Sequence, residues 1–154
     1  MCVCGGVGGG GGIHQKALYS KEFCDLLEEM TGITVANKPD LFASVYRDGN
    51  YLLCHDDQID TRAIAFILYL TPKDWTKEDG GRLNIYKSVN EDIPDMKLEL
   101  YEEVLPVRNS VILFEVCKKS FHEVSEVLTK EKDRIAIGGW FHHQTHVPVI
   151  STRT

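Results

Sequence analysis

Two histidines and an aspartate are the residues of this sequence whose types and spacing could do chemistry. His55 and Asp57 follow the apolar run YLLC, and His122 lies in the segment KSFHEVSEV, between the apolar residues Phe121 and Val124. Side chains two apart on a strand project to the same face, so His55 and Asp57 should face one way and Asp56 the other. An imidazole ring inside a strand needs a metal or a hydrogen-bond partner to offset its lost hydration.

Two imidazole nitrogens and one carboxylate oxygen suit a divalent first-row metal. Drawn from separate strands, such residues form the facial triad of non-haem iron(II) oxygenases, which leaves coordination positions open. Those positions are what a bidentate 2-oxo acid and dioxygen require. His-x-Asp alone is a weak motif, and a surface histidine beside solvated acidic residues is the alternative interpretation.

A candidate anion-binding arginine lies at the start of the segment DRIAIGGWFHH. Alternation along a strand puts four residues on one face: Arg134, Ala136, Gly138 and Trp140. An arginine buried there needs an anionic partner, either the distal carboxylate of a 2-oxo acid or an acidic side chain such as Glu115 or Glu123. The hydroxyl of Tyr69, in another apolar run, also needs a partner, and the same carboxylate would satisfy it.

The segments that must position these residues are eight short strands preceded by one amphipathic helix. The helix is predicted to begin after Ser20 and to end at Gly32. Its apolar face would hold Phe23, Leu26, Leu27 and Met30. The predicted strands are residues 41–47, 51–57, 63–70, 82–86, 98–105, 110–116, 121–127 and 134–142. This pattern predicts a mainly β protein, a jelly roll with one N-terminal helix.

Composition limits the class of protein. The chain has 154 residues, 43% hydrophobic and 26% charged, as is typical of one globular domain. Its net charge of −6 argues against a direct nucleic-acid partner, which needs a basic face. No apolar run has the length of a membrane span, and five irregularly spaced cysteines favour a reducing compartment. We therefore expect no membrane partner and a location in the cytoplasm and nucleus.

The ends of the chain are predicted to lie outside the folded domain, residues 16–146. Seven of the eight residues from Gly5 to Gly12 are glycine, so residues 1–15 are interpreted as a flexible tail. Residues 147–154 are interpreted as a C-terminal tail. Two further clusters could bind metal but lack the spacing of a metal site: Cys2-x-Cys4, and His142 with His143 and His146. We interpret the first as incidental and the second as tail.

Several separate blocks of the sequence resemble, in order, the Fe(II)/2-oxoglutarate-dependent prolyl hydroxylase superfamily. They fall within residues 41–142 and are LLCHDD, RAIAFILYL, GGRLNIY, ILFEV, SFHEVSEVL and RIAIGGWFH. The blocks closely resemble the branch of prolyl 3-hydroxylases that modify a small-subunit ribosomal protein. The resemblance implies a double-stranded β-helix that hydroxylates a prolyl residue of a protein. It also implies Fe(II), 2-oxoglutarate and dioxygen, with ascorbate keeping the iron reduced.

The resemblance assigns roles by position. It implies that His55, Asp57 and His122 bind the iron. It implies that Arg134, assisted by Tyr69, binds the distal carboxylate of 2-oxoglutarate. Trp140 and Tyr46 would line the pocket. Members of this branch carry more structure before the first strand and a second domain after the first, so the chain is expected to be a truncated form: a fragment, an isoform or a divergent single-domain relative. A catalytically idle domain that acts as a protein-interaction module is the alternative function.

Overall fold

The computed structural model describes residues 5–6, 13–59, 61–89 and 97–144. Two helices, α1 (Ile13–Leu18) and α2 (Lys21–Thr31), precede most of the strands. The strands are β1 (Gly5–Gly6), β2 (Asp40–Tyr46), β3 (Leu52–His55), β4 (Arg62–Tyr69), β5 (Leu83–Ser88), β6 (Leu98–Val104), β7 (Val111–Glu115), β8 (His122–Val124) and β9 (Arg134–His142). A single 3₁₀ turn, Lys77–Asp79, lies between β4 and β5.

The strands form two antiparallel sheets, with the orders β1-β2-β9-β4-β7 and β3-β8-β5-β6. Each of the eight predicted strand segments overlaps one of the strands β2 to β9. The prediction of a mainly β jelly roll is therefore confirmed. Strand β4 is buried along most of its length, as its continuous apolar sequence predicted.

Helix α2 has the predicted ends. The Ser20 hydroxyl accepts a hydrogen bond from the Phe23 amide, and Gly32 takes the left-handed conformation with φ 72°. The predicted apolar face is wrong in part, because Leu26 and Met30 are exposed while Leu27 is buried. The helix is rotated so that Leu27 and its neighbour one turn earlier, Cys24, face the protein.

The main core lies between the helices and the outer face of the larger sheet. It consists of Leu18, Cys24, Leu27, Val35, Ala63, Ile64, Phe66 and Phe141. Full burial of a side chain such as Leu27 or Phe141 contributes about 1.5–3 kcal/mol to stability. Because the helices cover the outer face, the inner face of this sheet is left to line a cavity.

The structure describes only part of the predicted tails. Gly5 and Gly6 pair with Ala43 and Phe42 of β2, and helix α1 begins at Ile13. The larger sheet and a second helix therefore extend into the predicted tail of residues 1–15. Residues 1–4 and 7–12, which include the Cys2-x-Cys4 pair, lie outside the described residues, as does the predicted tail of residues 147–154.

Candidate metal centre

A cavity of about 390 Å³ lies between the inner faces of the two sheets. Its lining includes the three predicted metal ligands, the predicted anion-binding arginine and both predicted pocket aromatics: His55, Asp57, His122, Arg134, Trp140 and Tyr46. The remaining wall is largely apolar and includes Phe42, Leu52, Leu83 and Val124. Residues far apart in the sequence therefore converge on one cavity.

A β-bulge places His55 in this cavity. Strand β3 pairs with β8 at Leu52↔Val124 and at His55↔His122, so two residues of β3 stand opposite Glu123 alone. The extra residue reverses the alternation, and both Leu52 and His55 line the cavity although they are three residues apart. Without the bulge, one of these two side chains would point away from the cavity.

Asp57 joins His55 by a different route from the one that strand alternation predicted. Strand β3 ends at His55, and Asp57 has φ 59°, in the left-handed region. The two side chains lie together as predicted. However, Asp57 reaches His55 because the backbone turns after the end of β3, not because the two residues alternate along the strand. Asp56 points elsewhere, as predicted, and its carboxylate accepts a hydrogen bond from the Gln58 amide.

The three candidate ligands present their metal-binding atoms to one point. Their ligand atoms all lie within 4.8 Å of one another. His55 Nε2 lies 3.5 Å from Asp57 Oδ1, and His122 Nε2 lies 3.4 Å from Asp57 Oδ2. Among the residues with described side chains, this is the only group of three or more such residues placed to hold a metal ion.

Backbone carbonyls fix the tautomers of both histidines. His55 Nδ1 lies 2.7 Å from the Leu53 carbonyl oxygen, and His122 Nδ1 lies 2.8 Å from that of Ser120. A carbonyl oxygen can only accept a hydrogen bond, so Nδ1 carries the proton in both rings. The Nε2 lone pairs are then directed to the metal, as is usual for metal-binding histidines.

Asp57 is held in its charged form. Burial by itself would raise the pKa of Asp57, but hydrogen bonds from His122, His55 and Trp140 outweigh burial and hold that pKa well below its usual range. The hydrogen bond between His55 and Asp57 also raises the pKa of His55. A metal ion that binds His55 would therefore displace a proton whose binding the contact with Asp57 favours. The carboxylate of Asp57 is already ionised and has no proton to lose.

Arg134 is buried at the opposite part of the cavity, with 1% of its surface exposed. Its Nε donates a 2.7 Å hydrogen bond to the Gly81 carbonyl. Its guanidinium carbon lies 5.2 Å from the ring centroid of Tyr46 and 5.1 Å from that of Tyr69. The acid Glu123, one of the alternative partners, instead accepts hydrogen bonds from other side chains, Asn84 and Tyr86.

Tyr69 is fully buried beside Arg134 but is not part of the cavity wall. Among the described residues, its hydroxyl has no partner with the geometry of a good hydrogen bond. Burial raises the pKa of Tyr69, with the positive charge of Arg134 acting in the opposite direction. The phenol is therefore neutral and able to donate to an anion held by Arg134.

The C-terminal histidine cluster does not form a second centre among the described residues. His142 contacts Thr61 Oγ1 at 2.9 Å through Nδ1 and Asp40 at 3.1 Å through Nε2. Its companion His146 lies outside the described residues. No helix in the described ranges is long and apolar enough to cross a membrane.

The donor set and the anion site fit the two small molecules that the resemblance implies. Two neutral imidazoles and one carboxylate are suitable ligands for Fe(II). The Tyr69 hydroxyl, which has no partner with good hydrogen-bond geometry among the described residues, and the Arg134 guanidinium are suitable donors to a carboxylate. A jelly roll that encloses a His-Asp-His centre and a buried arginine in one cavity defines the class of non-haem iron oxygenases.

The comparison with protein families identifies the superfamily within that class. The sequence profile of the 2OG-Fe(II) oxygenase superfamily matches residues 41–142. The chain belongs to this superfamily. The matched range begins in β2 and ends with β9, so it contains every residue of the candidate centre.

Curated relatives are similar over most of this chain. The prolyl 3-hydroxylase OGFOD1 of Xenopus laevis is 39% identical over 132 residues, which cover 84% of this chain and 25% of the relative. The prolyl 3,4-dihydroxylase OGFOD1 of Ostreococcus tauri is 40% identical over 132 residues, with coverages of 83% and 25%. The chain thus spans about a quarter of the length of these relatives.

A solved structure supports the fold. The Pseudomonas putida prolyl-4-hydroxylase superposes with a TM-score of 0.65, covering 94% of this chain and 71% of that one. The sequence identity is 19%, so this likeness concerns the fold alone.

Proposed function

We propose that this chain is the catalytic domain of a prolyl hydroxylase that uses Fe(II), 2-oxoglutarate and dioxygen to hydroxylate a prolyl residue of a protein. The observation that carries the proposal is the convergence of His55, Asp57 and His122 in one cavity with a buried Arg134. The names of the two curated relatives, a prolyl 3-hydroxylase and a prolyl 3,4-dihydroxylase, support the substrate class.

The two histidines would hold the iron through Nε2 and Asp57 would hold it through its carboxylate. When bound, iron supplies the activation of dioxygen that protein side chains cannot provide. His55 and His122 contribute oriented neutral rings, because backbone carbonyls bind their Nδ1–H groups. The largely apolar wall of the cavity would limit the access of water to a reactive centre.

Arg134 would bind the distal carboxylate of 2-oxoglutarate. Its Nε is already held by the Gly81 carbonyl, so the rest of the guanidinium is oriented before the co-substrate arrives. Tyr69 would donate its hydroxyl to the same carboxylate. Trp140 and Tyr46 would line the pocket, and their positions on the cavity wall support this part of the proposal.

The finer parts of the proposal depend on the sequence resemblance. We propose a small-subunit ribosomal protein as the substrate, ascorbate as the reductant that maintains Fe(II), and the cytoplasm and nucleus as the location. A catalytically idle interaction module is less well supported, because the ligands, the arginine and the cavity are all present.

The direct test is a turnover assay of the purified chain with Fe(II), 2-oxoglutarate, ascorbate and prolyl peptides from small-subunit ribosomal proteins. We expect succinate and a peptide that has gained one oxygen atom on proline, both measured by mass spectrometry. His122→Ala is the inactive control. Anaerobic addition of 2-oxoglutarate to the iron-loaded chain should also give the weak visible charge-transfer band of the chelate. The absence of both the band and succinate would refute the proposal.

A further inference from the structure

Arg62 is a charged residue in the cavity that sequence analysis did not single out. It is the first residue of β4, and 17% of its side chain is exposed. It lines the same cavity as the candidate metal ligands. A charged residue at the start of a strand usually faces solvent, so its sequence position gives no signal of this role.

A second β-bulge turns Arg62 inward. Strand β4 pairs with β9 at Arg62↔His142 and at Ile64↔Phe141, so one extra residue of β4 lies in this interval. Arg62 and Ala65 consequently both line the cavity although they are three residues apart. The same device that places His55 in the cavity therefore places Arg62 there.

Arg62 and Trp140 form a stacked pair around Asp57. The guanidinium carbon of Arg62 lies 3.4 Å from the ring centroid of Trp140. Arg62 Nη1 lies 3.7 Å from Asp57 Oδ1 and 3.4 Å from the Asp57 carbonyl oxygen. Trp140 Nε1 donates a 3.0 Å hydrogen bond to Asp57 Oδ2. The pair thus contacts both carboxylate oxygens and the backbone of one residue.

Asp57 requires such support because its backbone is strained. A non-glycine residue in the left-handed region costs about 1–3 kcal/mol, and it persists only where its surroundings hold it. Trp140 donates a 3.0 Å hydrogen bond to Oδ2, whereas Arg62 Nη1 contacts Oδ1 at the longer distance of 3.7 Å, so Oδ1 is the less strongly held oxygen and the one that we assign to the metal.

We propose that Arg62 and Trp140 are positioning residues that clamp Asp57 as a one-oxygen metal ligand and thereby set the metal affinity of the site. This inference rests on the proposed iron site. Planar stacking on Trp140 is the essential feature of Arg62, because it fixes the guanidinium against the Asp57 carbonyl and carboxylate together.

The positive charge of Arg62 and its positioning of Asp57 should have opposite effects on metal binding, so the two can be distinguished by experiment. A positive charge beside a metal ligand repels a cation, so if charge dominated, its removal would strengthen metal binding. If positioning dominates, removal weakens binding even though the repulsion is gone. Arg62→Met removes the charge and keeps the aliphatic stem, whereas Arg62→Lys keeps the charge and loses the planar stack.

The experiment is an anaerobic titration of the full chain with Co(II), a redox-stable probe, read by visible absorption. We expect Trp140→Phe and Arg62→Met to weaken Co(II) binding by about 10–100-fold, as loss of residues that orient a ligand typically does. Arg62→Lys should fall between wild type and Arg62→Met. The Co(II) absorption of the saturated variants should also differ from wild type, because Asp57 is held differently.

Two controls separate the possible outcomes. Arg47→Met removes an arginine that forms an exposed ion pair with Asp133, and it should bind Co(II) like wild type. His55→Ala should not bind Co(II). Wild-type or tighter binding by Arg62→Met and Trp140→Phe, with His55→Ala inactive, would overturn the clamp and leave the iron site intact. A wild-type chain that fails to bind Co(II) would refute the proposed function itself.

Discussion

His55 and His122 are direct partners across the β3–β8 ladder, and their ring centroids lie 4.2 Å apart. The two rings use the same device, an Nδ1 contact to the carbonyl two residues earlier in the chain. Each ring is therefore oriented by its own strand, and the register between the strands sets the distance between the rings. The metal centre is thus a property of this strand pair together with the turn that follows β3.

Loss of one ligand should abolish metal binding and keep the fold. His122→Ala removes a buried nitrogen ligand, but it leaves the β8 backbone ladder intact. We expect no detectable Co(II) or Fe(II) binding and an unchanged far-UV circular dichroism spectrum. His142→Ala is the matched control, because that ring contacts Thr61 and Asp40 and is not a cavity residue. Metal binding by His122→Ala at wild-type affinity would contradict the ligand assignment.

Replacing the guanidinium of Arg134 by an ammonium group should weaken 2-oxoglutarate binding without weakening metal binding. A charge-assisted hydrogen bond contributes about 1.5–3 kcal/mol, so we expect Arg134→Lys to bind 2-oxoglutarate about 10–100-fold more weakly. Calorimetry on the Mn(II)-loaded protein measures this affinity. Mn(II) affinity itself should stay at the wild-type value, since Arg134 is not one of the metal ligands. Equal 2-oxoglutarate affinities for variant and wild type would exclude this arginine as the carboxylate site.

Tyr69→Phe should act in opposite directions on stability and on binding. The buried hydroxyl has no good hydrogen-bond partner in the described protein, so its removal should leave the free energy of unfolding unchanged or raise it. The affinity for 2-oxoglutarate should fall several-fold, because one donor to the carboxylate is lost. Chemical denaturation with and without 2-oxoglutarate separates the two effects. A large loss of stability without the co-substrate would show that the hydroxyl has a structural role.

Gly81→Ala should disturb Arg134 directly. Gly81 has φ 64°, and a Cβ there would lie 2.9 Å from Arg134 Cδ and 3.1 Å from Val127. We expect destabilisation of about 1–3 kcal/mol from overpacking in addition to backbone strain, together with weaker 2-oxoglutarate binding. Gly32→Ala is the control, because Gly32 has φ 72° but no atom within 4 Å of the added Cβ. The prediction fails if both variants lose the same amount of stability and bind the co-substrate equally well.

The Asp79 carboxylate should make a pH-dependent contribution to stability. It accepts hydrogen bonds from the Thr76 amide at 2.7 Å and from Lys132 Nζ at 3.0 Å. Burial would raise the pKa of Asp79, but these hydrogen bonds lower it below its ordinary value of 3.8. A lowered pKa stabilises the folded state above the ordinary pKa, and this stabilisation is lost as the pH falls through the folded value.

We therefore expect Asp79→Asn to reduce the free energy of unfolding by about 1–3 kcal/mol at neutral pH. The difference from wild type should shrink as the pH falls below about 4, because the carboxylate then becomes protonated first in the unfolded chain and, at lower pH, in the folded protein. Urea denaturation of both proteins at a series of pH values measures this difference in the free energy of unfolding. A difference that stays constant with pH would show that the charge of Asp79 is not what stabilises this turn.

Much of the site could be predicted because strand alternation is a local property. The apolar segment that became β9 predicted one shared face for Arg134, Ala136, Gly138 and Trp140, and all four line the cavity. The burial of His122 was likewise predicted from its apolar neighbours, and the residue is 5% exposed. In both cases the residue types within one short segment of the chain were enough to predict the orientation or the burial of the side chain.

The sequence by itself determined the strands, the ends of helix α2 and the types of residue available for a metal centre, because these depend on short-range pattern and composition. Only the tertiary structure decided that bulges turn His55 and Arg62 inward, that Asp57 takes a left-handed conformation, and that Leu26 faces solvent. A bulge exists only relative to the partner strand, and a helix face is buried only relative to the sheet it covers. Such features arise from pairing between distant segments, which no local pattern encodes.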